Sequence, residues 1–240
     1  MGIVILEEKM NKYGWIIFSV AVVALLGGLI IWTRTTNPTV DVSNVNNNSI
    51  LAATVDSGNI ADHVKGNKES KVLLVEYGDF QCPGCGGAYP NVKTLMEEYG
   101  DRVALVFRNF PLTSIHPNAK VAAAAAEAAG LQGKFWEMHD MLFQNQNSWG
   151  SLSASSRTDA FVTFASQLEL DTEKFTNDLV NADINKKISF DMAVGKQNKA
   201  SSTPTFFLNG KILDDTAAAD GIVKGDLTAI KAELDKALAE

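Results

Sequence analysis

The sequence predicts an α/β domain whose strands are separated by a long helical block, carried behind a single N-terminal transmembrane helix. Three observations predict it. Short apolar runs alternate with helix-like patterning over Lys71–Tyr77, Cys82–Tyr99 and Val103–Phe110. Strandless, alanine-rich patterning then occupies about 117–199 before strand signals return at Thr205–Leu208. Finally, Trp15–Trp32 (WIIFSVAVVALLGGLIIW) runs for eighteen residues without a charge.

That apolar run comes first in the chain. At about 1.5 Å per residue it reaches roughly 27 Å, and Tyr13 and Thr33 extend it towards the ~30 Å hydrocarbon core of a bilayer. A tryptophan at each end fits the two interfacial belts. The sequence after it, Thr33-Arg34-Thr35-Thr36-Asn37-Pro38, offers no small-x-small cleavage site, so an uncleaved anchor over 13–33 is expected instead of a signal peptide. Lys9 and Lys12 before the span against Arg34 after it favour a cytoplasmic N-terminus over 1–12, with the rest of the chain outside. Residues 34–58, rich in Thr, Ser, Asn and Asp and without an apolar period, read as a polar tether. Asn47-Asn48-Ser49 within it matches a glycosylation acceptor by pattern alone.

The folded domain is expected over 59–240. Its first strong element is the buried strand KVLLVEY at Lys71–Tyr77. A helix over Cys82–Tyr99 follows, with Pro83 in its first turn, Pro90 as a bend and Gly100 at its close. VALVFRNF, Val103–Phe110, is the next strand. Ala119–Ala129 is mostly alanine, the best helix former, and helical patterning continues to Lys199. Strand TFFL leads through the turn signal Asn209-Gly210 to Lys211–Leu213, and a closing helix runs over Asp226–Leu238 with Asp226 as its cap.

The chain has 240 residues, 21 Lys and Arg against 28 Asp and Glu, and a formal net charge of -7. That balance argues against a nucleic-acid binder, which would present a basic face. Only two cysteines exist, Cys82 and Cys85, in the phrase Cys-Pro-Gly-Cys. Two intervening residues at a helix start bring both sulfurs onto the first turn. Cys82 then sits where free N–H groups and the helix dipole favour a thiolate, which makes it the nucleophile, with Cys85 resolving. A zinc site would need two further ligands, and His63, His116 and His139 are scattered without ligand spacing, so no metal and no cofactor is expected. Thiol-dependent copper carriage lacks a Met-rich or His-rich stretch to support it. Glu76 is a carboxylate in an otherwise apolar run. Burial would raise its pKa and let it exchange protons with Cys85, whereas exposure at a strand end would leave it idle, and patterning leaves both readings open. His116, His139, Trp136 and Trp149 read as capping and core residues.

These phrases together resemble the DsbA-like thiol-disulfide oxidoreductases of the thioredoxin superfamily, in their membrane-anchored bacterial forms. The resemblance rests on Val75-Glu-Tyr-Gly-Asp-Phe-Gln-Cys82-Pro-Gly-Cys85, Arg108-Asn-Phe-Pro-Leu112, His116-Pro117-Asn-Ala119, Gly133-Lys-Phe-Trp-Glu-Met-His139 and Ser202-Thr-Pro204-Thr-Phe-Phe-Leu-Asn-Gly210. It covers about 60–240. It implies a thioredoxin fold with an inserted helical domain at about 117–199. It also implies a cis Pro204 beside the cysteines, Thr203 bonding an incoming substrate backbone, and Glu76 as the buried acid.

Gly84, paired with Pro83 in the active-site loop, departs from the pattern. Strongly oxidising members of this family carry a histidine there, which implies a milder oxidant here. Gly84, Gly86 and Gly87 either weaken the helix start or permit close approach of another chain; the residues alone leave both open. The expected function is extracytoplasmic introduction of disulfides into cysteine-containing exported proteins, with reoxidation by a quinone-linked membrane partner. The alternatives are a reductase or isomerase of the same fold and, from another class, a metal carrier or holdase.

Overall fold

The computed structural model describes residues 12–36 and 40–240, in two units divided between Thr39 and Val40. The expected cytoplasmic segment 1–12 lies outside the described residues except for Lys12. In the first unit, helix α1 spans Lys12–Thr36. Its described side chains run from 14 to 29, and Trp15, Ile17, Val20, Val23 and Leu25 among them are exposed. Among the described residues no helix is long and apolar enough to cross a membrane. The described side chains alone reach only about 24 Å, short of the ~30 Å core.

The second unit is built on one sheet. Its elements are β1 (Val64–Gly66), β2 (Leu73–Gly78), α2 (Pro83–Tyr99) and β3 (Ala104–Asn109), then α3 (Ala119–Gly130), α4 (Phe135–Gln144), α5 (Gln146–Trp149), α6 (Ala154–Gln167), α7 (Thr172–Asp178) and α8 (Ala182–Gln197). The chain returns through β4 (Thr205–Leu208) and β5 (Lys211–Ile212), passes a π-helix over Thr216–Val223 and ends in α9 (Thr228–Ala239). The strand order is β1-β3-β2-β4-β5, with β2 and β3 parallel and the other pairings antiparallel. Only the β2–β3 pair needs a crossover, and α2 supplies it.

Central strand β2 is buried on both faces, which explains its near-continuous apolar run. Val72 and Leu74 pack with Val92 and Leu95 of α2 and with Ile230 and Leu234 of α9. Leu73, Val75 and Tyr77 pack on the other face with Phe190 and Val194 of α8. The third core lies in the helical block, where the alanines of α3 let α4 and α8 approach closely and where Phe80, Cys82 and Cys85 join the cluster. The segment read as helical holds α3–α8. Among the described residues β1 and the π-helix are additions that no sequence signal marked. Asp226 is not the cap of α9: the helix starts at Thr228, two residues later than expected, its N-cap residue is Leu227, and Asp226 Oδ1 accepts the Thr228 N–H at 3.2 Å from one residue further out.

The polar tether is corrected. Residues 40–58 belong to the folded unit: Val42 enters the core beneath β2, and the Leu51 N–H donates to Asp62 Oδ2 at 2.9 Å. Asn47 is buried, and its Oδ1 accepts from the Tyr77 hydroxyl and from Arg108 Nη1, both at 2.7 Å. Of the polar residues that suggested a solvated linker, Asn47 and the Ser49 carbonyl instead join a buried ion cluster, while Asp41, Ser43, Asn46 and Asn48 stay exposed. The same burial removes Asn47 as a glycosylation acceptor. Arg108 and Lys187 bridge Asp62 there, with Nη2 and Nζ at 2.7 and 3.1 Å, and Lys187 also holds Asp191 at 2.7 Å. All four side chains are fully buried, joining β3 and α8 to the segment before β1.

Candidate active site

Cys82 is the N-cap residue of α2, in extended conformation, and Pro83 occupies the first turn, where its missing N–H costs nothing. Its backbone N–H donates to Asp79 O and its carbonyl accepts from Gly86 N–H, both at 3.0 Å. The two cysteines are free thiols. Cys82 is held far below an ordinary thiol, from 9.0 to about 5. The largest cause is a hydrogen bond from the Cys85 thiol, opposed by burial; proximity to Thr203 and the backbone N–H groups of Cys85 and Gly84 add to it. Cys85 is pushed well above 9.0, first by burial, then by the proton it shares with Cys82 and by the charges of Glu76 and Cys82. One sulfur is therefore an anion at neutral pH and the other keeps its proton.

Glu76 sits in the middle of β2, opposite Phe107 and Phe206 on the flanking strands, and is buried. Burial, and secondarily the Cys82 charge, raise its carboxyl from 4.5 to about 8. The reading of Glu76 as an exposed strand end is excluded, because α2 and the helical block cover its end of the strand. Its charge is coupled to both cysteines, which makes it a proton-exchanging group within electrostatic reach of Cys85.

The Thr203-Pro204 bond is cis. Cys82 Sγ lies 3.3 Å from Thr203 O, a contact in which only the protonated thiol can donate, and Thr203 Oγ1 is buried with no hydrogen-bond partner among the described residues. Gly84 is explained by this loop. A Cβ there would lie 3.2 Å from Pro204 Cδ and 3.6 Å from Cys82 Sγ, so the glycine permits close approach of the proline. The helix-weakening account of Gly86 gives way in the same manner, since a Cβ at that position would lie 2.5 Å from Gln146 Oε1.

Sequence reasoning missed Gln146. Its Nε2 donates to Phe80 O at 2.8 Å and Cys82 O at 2.9 Å, tying the first turn of α5 to the cysteine loop. Gln81 braces the other side, with Nε2 on Gly150 O at 2.8 Å and Oε1 accepting from Asn118 N–H at 2.6 Å. His139 and Trp149 are core residues as read: burial lowers the pKa of His139, and Trp149 Nε1 donates to Leu142 O.

A reactive cysteine at a helix start, a buried acid on the adjoining strand and a cis-proline loop against the sulfur form one constellation. The thioredoxin family model matches residues 58–224, more than half of the chain and all of this constellation. The chain belongs to the thioredoxin family. Solved thioredoxin-fold structures similar to it include a thioredoxin-like oxidoreductase from Silicibacter pomeroyi, 26% identical with a TM-score of 0.55, covering 73% of this chain and 99% of that one. Another is alpha-DsbA1 of Wolbachia pipientis, 22% identical with a TM-score of 0.60 over 74% of this chain and 93% of that one; this likeness is one of fold. Among curated relatives, a Na(+)/H(+) antiporter NhaA 1 of Salinispora arenicola is 44% identical over 150 residues, 62% of this chain. The chain spans only 22% of that relative's length. Because the first unit holds residues 1–39, at least 111 of the 150 aligned residues fall in the cysteine-bearing thioredoxin unit.

Proposed function

We propose that the chain is a membrane-anchored, extracytoplasmic thiol-disulfide oxidoreductase that makes disulfides in exported proteins. The observation that carries the reading is the opposite ionisation of the two cysteines around a buried acid. A substrate thiolate attacks Cys82 Sγ of the oxidised pair. The Cys82–Cys85 bond breaks, a mixed disulfide forms, and Cys85 leaves with the electron pair and takes a proton, for which Glu76 is the donor at hand. The substrate's second thiolate then attacks its own sulfur in the mixed disulfide and expels Cys82 as a stabilised thiolate. The substrate loses two electrons and the pair gains them. A thiolate stabilised in the reduced form makes the disulfide more oxidising, which supports disulfide formation over reduction.

The exposed apolar side chains of α1 and the charge-free run of Trp15–Trp32 support an anchor. A lone cysteine pair used for exchange suits an oxidising compartment. Reoxidation by a quinone-linked membrane partner completes the cycle. The likeness to the antiporter lies mainly in the cysteine-bearing unit and spans 22% of that protein, so ion exchange is not carried over to this chain. Gly84 in place of a histidine favours a second reading, a milder exchanger acting as reductase or isomerase. Cys82→Ala should abolish oxidation of a reduced, cysteine-containing test protein, and full activity in that variant would overturn the proposal. The equilibrium potential against glutathione separates the two directions: a value near about -270 mV would mark a reductase, and one near about -120 mV an oxidase.

A further inference from the structure

The oxidoreductase reading uses Cys82, Cys85, Glu76 and the 203–204 loop. It leaves unused a second buried acid in contact with both cysteines. Asp79 directly follows β2, and its side chain is fully buried. Its carbonyl accepts the Cys82 N–H at 3.0 Å, and its own N–H donates to Cys85 Sγ at 3.5 Å. Its carboxylate faces the other way. Oδ1 accepts from Gln81 N–H at 2.8 Å, and Oδ2 accepts from Leu112 N–H at 2.9 Å and from His116 Nδ1 at 2.8 Å. In the tautomer that carries its proton on Nδ1, His116 donates to this carboxyl group.

His116 is built into this contact. Its N–H closes a turn onto Leu112 O at 2.9 Å, and the Phe110 N–H donates to Gly78 O at 2.8 Å, so the 110–116 loop clamps the end of β2 at both sides of Asp79. The imidazole is the partly exposed member, at 15% against 0% for the carboxylate. A carboxylate removed from water needs its donors. Removing one of three loosens the Asp79 side chain, then held by the Gln81 and Leu112 N–H groups alone, and the Asp79 N–H shifts with the backbone it fixes.

We infer that His116 is a positioning residue for the resolving thiol: through Asp79 it holds the backbone N–H against Cys85 Sγ. The inference rests on the thiol-disulfide reading above and assigns a role in one half of it. When Cys85 acts, it gives its proton to a base and attacks Cys82 Sγ of a mixed disulfide. The Cys82–Cys85 bond forms and the other thiol leaves with the electron pair. The N–H donor stabilises the Cys85 thiolate that makes this attack. Attack of Cys82 on an external disulfide needs no such donor at Cys85.

The test separates the two steps in the full chain. Reduced protein is mixed with glutathione disulfide, and the formation and decay of the Cys82–glutathione mixed disulfide are followed by rapid acid quench and mass spectrometry. His116→Leu should slow decay about tenfold while leaving the attack at Cys82 within about twofold. His116→Asn, whose amide N–H stands the same number of bonds from Cα as Nδ1, should restore most of the loss. Equal slowing of both steps in His116→Leu would mean a general structural role and would overturn the inference, as would unchanged decay. Failure of the wild-type chain to form the mixed disulfide would instead refute the oxidoreductase reading itself.

Discussion

Replacing Glu76 by glutamine should stabilise the reduced protein, and do so only as the pH rises. In the folded state the Glu76 carboxyl holds its proton up to about pH 8, while the unfolded chain releases it near 4.5. Between those values the folded state binds more protons than the unfolded one, so stability falls with increasing pH. The fall is ~1.4 kcal/mol per pH unit, reaching about 3 kcal/mol by neutral pH. Glutamine is nearly isosteric and carries no charge, so it escapes the penalty. Urea denaturation of the reduced wild-type and Glu76→Gln chains across this pH range measures it: the difference should be near zero at the acid end and grow steadily to neutrality. The gain should be smaller in the oxidised protein, because part of the shift comes from the Cys82 thiolate. Exchange should slow in the same variant, since the proton acceptor for Cys85 is gone. A stability difference independent of pH would refute the buried-acid reasoning.

Three further outcomes follow from the same geometry. The reduction potential of the pair should fall by about 30 mV per pH unit between about pH 5 and 7, one proton per two electrons, and by about 59 mV per unit at more acid pH; the steeper slope persisting to neutrality would show that Cys82 is not ionised near pH 5, contrary to its depressed value. Gln146→Ala removes a donor from Phe80 O and from Cys82 O, the latter keeping the Gly86 N–H, and should cost about 1–2 kcal/mol in urea denaturation, roughly 1 kcal/mol for each bond. Lys187→Met strands Asp191 and weakens the hold on Asp62, both fully buried, so stability should drop by about 3–5 kcal/mol, and a neutral result would mean the cluster is solvated in solution.

The cysteine pair, the strand–helix–strand order and the helical block were legible because each depends on neighbours along the chain. Cys82 and Cys85 share one helical turn, and β2 announces itself by an unbroken apolar run. The sequence showed Glu76 as an acid in that run but could not tell whether its end of the strand was covered. The contacts that decide the site join distant residues: Cys82 with Thr203, 121 positions apart, Gln146 with Cys82, 64 apart, and Asp79 with His116, 37 apart. No local pattern marks such partners. The segment 40–58 misled for the same reason. Asn47 looks like linker composition until Tyr77 and Arg108 are brought to it by the sheet.

By itself the sequence determined which groups can react: two thiols at a helix start, an acid on the preceding strand, a proline after a threonine, and an apolar helix ahead of them all. Periodicity and helix-terminus chemistry are local, so they survive reading in one dimension. The tertiary structure decided how those groups behave. Covering β2 with α2 and the helical block raises Glu76, stacking Cys85 inside the core keeps its proton on it, and the resulting S–H and N–H donors leave Cys82 ionised. Ionisation depends on which charges and donors surround a group once water is excluded, and only the folded chain sets that.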